Sequence, residues 1–207
     1  MHLSVRPALS GATWRARPVE AGCSSAASAG ASGACRSRHY DAPQGTFGLR
    51  CLTPADAHHM ADLLERLSPH SRYLRFLRLV RSFTPAEIAR FVADGPDHLA
   101  VGVFDGDVLV GAAQYFRSSK HRDQAEIAVE VADSHQRHGL GGQLVRELSL
   151  LAAGDGITQF TATILAQNRA VLDLMRHSGW RILTTEDGPY VDVIVTLPQE
   201  HLGDGRR

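Results

Sequence analysis

Gln136-Arg137-His138-Gly139-Leu140-Gly141-Gly142 follows the extended run Glu126 to Val131 and opens an apolar-periodic segment from Gln143 to Ala153. That context reads as strand, glycine turn, helix start. Glycines let the backbone approach a ligand without Cβ interference, and a helix N-terminus presents unpaired N–H groups at the positive end of a dipole. Such a turn suits a pyrophosphate. A glycine between strand and helix also serves plain close packing, so the turn alone decides nothing. No Lys-Ser or Lys-Thr pair follows it as a P-loop requires, and its spacing is not G-x-G-x-x-G.

Outward from the turn, the chain reads as alternating short elements. Phe47 to Leu52 is a strand, and Thr53-Pro54-Ala55-Asp56 places a capping Thr before a first-turn proline for a helix to about Leu67. Ser68-Pro69 breaks it, a short helix carries Ser71 to Arg78, and Thr84-Pro85-Ala86-Glu87 has capping-box spacing for a helix to Val92. His98 to Phe104 and Val108 to Phe116 flank Asp105-Gly106-Asp107, the pattern of an antiparallel hairpin. Beyond the helix at the turn come a strand from Phe160 to Leu165, a helix from Arg169 to His177, and strands Arg181 to Thr184 and Tyr190 to Thr196. The order predicts an α/β (α+β) domain: a mixed, mostly antiparallel central sheet with helices on both faces.

The chain has 207 residues, enough for one well-buried core, and Lys+Arg 22 balances Asp+Glu 22. That balance gives no support to a nucleic-acid partner, which normally calls for a basic excess. Residues 1–45 are rich in Ala, Ser, Gly and Arg and are expected to be a disordered tail; the domain is expected over 46–200, with 201–207 as a flexible end. Transit peptides, and sequence ahead of a mis-assigned start, share this Arg-rich, acid-poor composition. No segment has the apolar length of a membrane span. Cys23, Cys35 and Cys51 form no CxxC pair, and reduced thiols in a cytoplasmic protein are expected. The histidines show no ligand spacing, so no metal is expected.

The combination of Q-x-x-G-x-G after an acidic strand, a strand ending near Asn168, then helix and "SGW" resembles the acetyl-CoA-binding core of the GNAT acyltransferases over most of residues 46 to 197. Within that superfamily, "LSPHSRYLRFL" (Leu67 to Leu77), "AEIAVEVAD" (Ala125 to Asp133) and "LAQNRAVLDLMRHSGW" (Leu165 to Trp180) look like the bacterial Pat-type protein lysine acetyltransferases. Those enzymes often carry a nucleotide-binding or ligase-like domain, for which this sequence has no matching segment. Regulation by a cyclic nucleotide is therefore not carried over.

The resemblance implies acetyl-CoA as co-substrate, held largely by main chain. The two parallel strands around Glu126 to Val131 and Phe160 to Leu165 are expected to splay apart. Groups around Val129 and Val131 would then meet the pantetheine, and Gln136, Arg137, His138, Gly139, Leu140, Gly141 and Gly142 the pyrophosphate. Asn168 reads as a helix N-cap and, by resemblance, as a cofactor contact; Arg169 reads as a phosphate partner or a solvated arginine. Ser71, Tyr73 and Phe76 fall where GNAT proteins form the acceptor wall, although Tyr73 and Phe76 also have the spacing of core residues, with Arg72 and Arg75 solvated.

Glu126 and Glu130 share one strand face, either a solvated carboxylate row or catalytic groups. By resemblance the Glu of "AEIAV", Glu126, aligns with the Pat-type general base, with Glu130 second. The helix after the second cofactor strand lacks the Tyr that many GNAT enzymes use as general acid, and that role stays unassigned. The implied activity is transfer of an acetyl group to a protein lysine, with acyl-CoA synthetases among the expected acceptors. A small-molecule amine acetyltransferase and a non-catalytic acyl-CoA sensor are the alternatives.

Overall fold

The computed structural model describes residues 16–18, 37–42, 45–177 and 180–198. Among them, nine strands form one sheet: β1 (Ala16–Pro18), β2 (Arg38–Ala42), β3 (Gly45–Cys51), β4 (His98–Asp105), β5 (Val108–Arg117), β6 (Gln124–Val131), β7 (Gln159–Leu165), β8 (Arg181–Asp187) and β9 (Tyr190–Thr196). The helices are α1 (Ala57–Arg66), α2 (Pro69–Phe76), α3 (Pro85–Phe91), α4 (Leu140–Gly154) and α5 (Arg169–His177). The strand order is β1-β2-β3-β4-β5-β6-β7-β9-β8. Every pairing is antiparallel except β6 with β7. This is the mixed sheet with two helical layers that the pattern predicts.

Local signals place the elements. Thr84 accepts from Glu87 N–H while the Glu87 carboxylate accepts from Thr84 N–H, closing the capping box that starts α3. Gly106 turns the β4–β5 hairpin at φ +58°, a region that favours glycine. On one side of the sheet, Leu144 and Leu148 of α4 and Val171 and Met175 of α5 pack against Val101, Tyr115, Ile127, Val129, Ile164 and Val193. On the other, Met60, Leu63 and Leu64 of α1 and Phe91 of α3 pack on Ala100, Phe104, Leu109 and Ala112. Period-2 alternation along β4 to β6 therefore feeds two cores at once.

That second layer stops short of the far end of the sheet. On β7 and β9, the residues facing α4 and α5 are buried, whereas Ile194 on the opposite face is 37% exposed and Leu183, its cross-strand neighbour on β8, is 69% exposed. Among the described residues, no helix is long and apolar enough to cross a membrane.

Two expectations are corrected here. The domain begins before residue 46: β2 pairs with β3 through Arg38↔Leu49 to Ala42↔Gly45, Tyr40 is buried, and Arg38 Nη1 donates to the buried Glu147 carboxylate of α4 at 2.7 Å. A short polar strand of this kind is specified by its partners more than by its own composition. Cys51, expected to be reduced, is disulfide-bonded.

Candidate active site

The parallel pairing between β6 and β7 lasts only from Gln124↔Gln159 to Glu126↔Thr161. Both strands continue for several residues beyond it, β6 to Val131 and β7 to Leu165, so the sheet opens in a gap whose closed end is at Glu126. On its other edge β6 stays paired with β5 as far as Val131↔Gly111. Ala132 N–H donates to Val110 O at 2.9 Å. Antiparallel alternation turns the peptide groups of Val131 and Val129 the other way, toward the gap. The Gln136 side-chain amide donates to Val131 O at 3.1 Å from that side.

The turn after β6 has the geometry that its glycines imply. Gly139 is the N-cap of α4 at φ +77°, and Arg137 also sits in the left-handed region at φ +67°. The first backbone bond of α4 runs from Gln143 N–H to Gly139 O, which leaves the N–H groups of Gly139, Leu140, Gly141 and Gly142 directed out of the helix end. The Leu140 side chain is buried in the core and anchors the first turn. His138 is half-buried, and its Nδ1 has no hydrogen-bond partner in the structure.

A cavity of about 460 Å³ lies where the diverging strands end, between this turn, α2 and the start of α5. Its lining includes His70, Ser71 and Leu74 from α2, Asp133, Gln136 and Arg137 from the turn, and Gln167, Asn168 and Arg169 from the β7–α5 junction. Asn168 is buried, and its carbonyl accepts from Val171 N–H at 3.2 Å, the position of a helix N-cap. Two helix N-termini and two exposed arginines, Arg137 and Arg169, make this mouth attractive to anions. The one carboxylate in the lining, Asp133, is already engaged: it accepts from Ser68 N–H, Ser68 Oγ and Ser71 Oγ at 2.9, 3.0 and 2.7 Å. Desolvation raises the Asp133 carboxyl, and these bonds outweigh it and hold it below its ordinary value.

Ser71 thus fastens α2 to the turn as well as facing the cavity. Tyr73 is half-buried and does not line it. Phe76 stacks with Phe83 at 4.9 Å and Phe91 at 6.1 Å, within the apolar layer of α1 to α3.

The acidic face of β6 does not look into solvent. Glu126, at the closed end of the gap, is partly exposed. Glu130 is 0% exposed, and its Oε2 accepts from Nε of Arg75, also 0% exposed, at 2.6 Å. Next to them lies the buried Gln114. His98 Nδ1 is 2.7 Å from Ala93 O and carries the proton, so Nε2 is an acceptor. The Gln114 amide then donates to His98 Nε2 and Phe91 O, and its oxygen accepts from Arg75 Nη2 at 3.1 Å. Arg75 Nη1 and Glu130 Oε1 remain without partners in the structure.

A solvated Arg75 is therefore corrected to a buried one, because its carboxylate partner lies 55 residues away and spacing on a helix cannot reveal it. Arg72 is also engaged: it donates to Leu64 O and Glu65 O, satisfying carbonyls in the last turn of α1, and to Arg81 O beyond α2. The one legible signal for this network was a glutamate inside the apolar run Val129-Glu130-Val131.

The model of the acetyltransferase (GNAT) family matches residues 59–180. The acetyltransferase Pat of Mycolicibacterium smegmatis is 28% identical over 164 residues, covering 74% of this chain and 49% of its own. This chain thus spans about half the length of that curated relative. The acetyltransferase PA5475 of Pseudomonas aeruginosa is 29% identical over 130 residues, 61% of this chain and 70% of its own. Among solved structures, the GNAT domain of S. lividans PAT superposes with a TM-score of 0.72 at 22% identity, covering 78% of this chain and 97% of that one. YncA from Salmonella typhimurium, solved with acetyl-CoA, gives 0.58 at 21% identity, covering 76% and 96%. With most of the domain inside the family model and the same fold in these structures, the chain belongs to the GNAT family of acetyltransferases.

Proposed function

We propose that this protein is an acetyl-CoA-dependent N-acetyltransferase acting on a primary amine, specifically the side chain of a protein lysine, by direct attack with Glu126 as general base. The observation that carries the reading is the gap between β6 and β7, closed at Glu126 and opening at its far end onto an anion-attracting mouth. The residues present fit the co-substrate: outward N–H groups from Gly139 to Gly142 and the arginines Arg137 and Arg169 suit a pyrophosphate, and the peptide groups of Val129 and Val131 suit the amides of a pantetheine arm. Asn168 adds a buried amide at the same mouth. Bound acetyl-CoA supplies the activated acyl carbon.

A free lysine ammonium, which titrates near pH 10.4 in water, is neutral about once in a few thousand molecules at pH 7, a deficit of roughly 4 to 5 kcal/mol. Glu126, at the closed end of the gap, accepts that proton directly or through one water, and the freed amine attacks the thioester carbonyl; the C–S bond then breaks, coenzyme A leaves as the thiolate, and the second proton of the amine passes to it through solvent. A backbone N–H of β6 turned toward the gap stabilises the negative charge that develops on the carbonyl oxygen. Glu130, engaged by Arg75 in a closed environment, is the weaker candidate for the same task. The resemblance to the Pat-type enzymes supports protein acceptors such as acyl-CoA synthetases as part of this proposal.

The test is Glu126→Gln with labelled acetyl-CoA and a lysine peptide. Turnover is expected to fall about a hundred-fold or more, with acetyl-CoA affinity preserved. Undiminished turnover removes Glu126 from the mechanism, and absence of acetyl-CoA binding by the parent protein removes the whole reading.

A further inference from the structure

Strand register places Glu126, Thr161, Ile194 and Leu183 side by side on one face, across β6, β7, β9 and β8. Among the described residues, the opposite face of β7 and β9 is packed against α4 and α5, but over β9 and β8 this one is open, with Ile194 and Leu183 presenting apolar side chains to solvent. Register also puts Asp192 and Asp187 on this face. Both are exposed, and Asp192 accepts from Thr163 Oγ1 at 2.6 Å. With Glu126 they outnumber Arg181, the basic residue that register places there. The face is acidic, shallow, apolar in one spot, and continuous with the closed end of the gap.

We propose that this face docks a lysine-bearing polypeptide segment, with an apolar side chain four residues from the lysine seated against Ile194 and Leu183. The proposal rests on the acetyltransferase reading above and specifies its acceptor. Neighbouring strands lie about 4.8 Å apart, so Ile194 is about 10 Å and Leu183 about 14 Å from the Glu126 strand. An extended peptide advances about 3.3 Å per residue and alternates its side chains, so the fourth residue, about 13 Å on and facing the same side as the lysine, comes over these two side chains when the lysine is at Glu126. A small amine at Glu126 reaches neither. The acidic side chains favour an ammonium-bearing segment over an acidic one.

The experiment compares acetylation of short synthetic peptides with a central lysine and either leucine or glutamate at the fourth position beyond it, with Nα-acetyl-lysine amide as small amine. Variants are Leu183→Glu and Ile194→Ser, both solvent-facing positions where substitution leaves the fold intact. The leucine peptide is expected to exceed the glutamate peptide about ten-fold in kcat/KM. Leu183→Glu should abolish that preference through KM, with the acetyl-CoA KM and the rate on Nα-acetyl-lysine amide unchanged. Equal KM for the leucine peptide in parent and variants overturns the proposal. So does sedimentation showing a parent dimer that Leu183→Glu makes monomeric, since the face then belongs to a second copy. If the parent acetylates no amine, the catalytic reading fails, and docking is judged from peptide binding by fluorescence anisotropy: it stands if the leucine peptide binds the parent more tightly than Leu183→Glu and falls if the two bind alike.

Discussion

Arg75→Met leaves the Glu130 carboxylate buried with no countercharge, and the structure sets the scale of the penalty. Both partners are 0% exposed, and Nε meets Oε2 at 2.6 Å. Removing one member of such a pair costs about 3 to 5 kcal/mol, because the remaining charge keeps its desolvation penalty without the compensating attraction. Gln114 Oε1 loses its donor in the same step, adding to the cost. At about 2 to 4 °C per kcal/mol for a domain of this size, Tm should drop by roughly 6 to 20 °C. Arg75→Met combined with Glu130→Leu replaces both charges with apolar volume and should recover to within about 1 kcal/mol of the parent, or exceed it. Thermal and urea unfolding of the four proteins, followed by circular dichroism without cofactor, completes a double-mutant cycle with a coupling of at least about 2 kcal/mol. A cost below about 1 kcal/mol for Arg75→Met, or additive effects in the double variant, would show that the pair does not hold α2 against β6, and the reasoning fails.

Gly139→Ala forces an alanine into φ +77° at the N-cap of α4, which costs about 1 to 2 kcal/mol and displaces the N–H groups directed out of the helix end. Acetyl-CoA affinity by calorimetry should weaken about ten-fold, and unaltered affinity would detach the turn from cofactor binding. For Asp56, burial raises the carboxyl, but hydrogen bonds from Arg50 and Thr53 outweigh it and hold it at about 2 against an ordinary 3.8. A carboxyl whose value is lower in the folded state stabilises the fold above pH 4, and that contribution fades as pH falls from about 4 to about 2. Asp56→Asn should therefore flatten the acid limb of the stability profile by roughly 2 kcal/mol, and parallel limbs in urea titrations across that range would refute it.

What the sequence determined alone is what neighbours along the chain decide. The Thr84 and Glu87 pair, the Asp105-Gly106-Asp107 turn, the alternation of Ile127, Val129 and Val131, and the glycine at the start of α4 each act within a few residues, so the element order and mixed sheet follow from them. The divergence of β6 from β7 was expected only by resemblance, because loss of pairing after Glu126 and Thr161 has no local pattern. Tertiary structure alone decided the fate of charges. It sank Glu130 against Arg75, tied Asp133 to Ser68 and Ser71, joined Arg38 to Glu147, and left Leu183 and Ile194 in the open. The reason is physical: whether a charged side chain is solvated or paired, and whether an apolar one is covered, depends on elements tens of residues away that meet it only when the sheet closes.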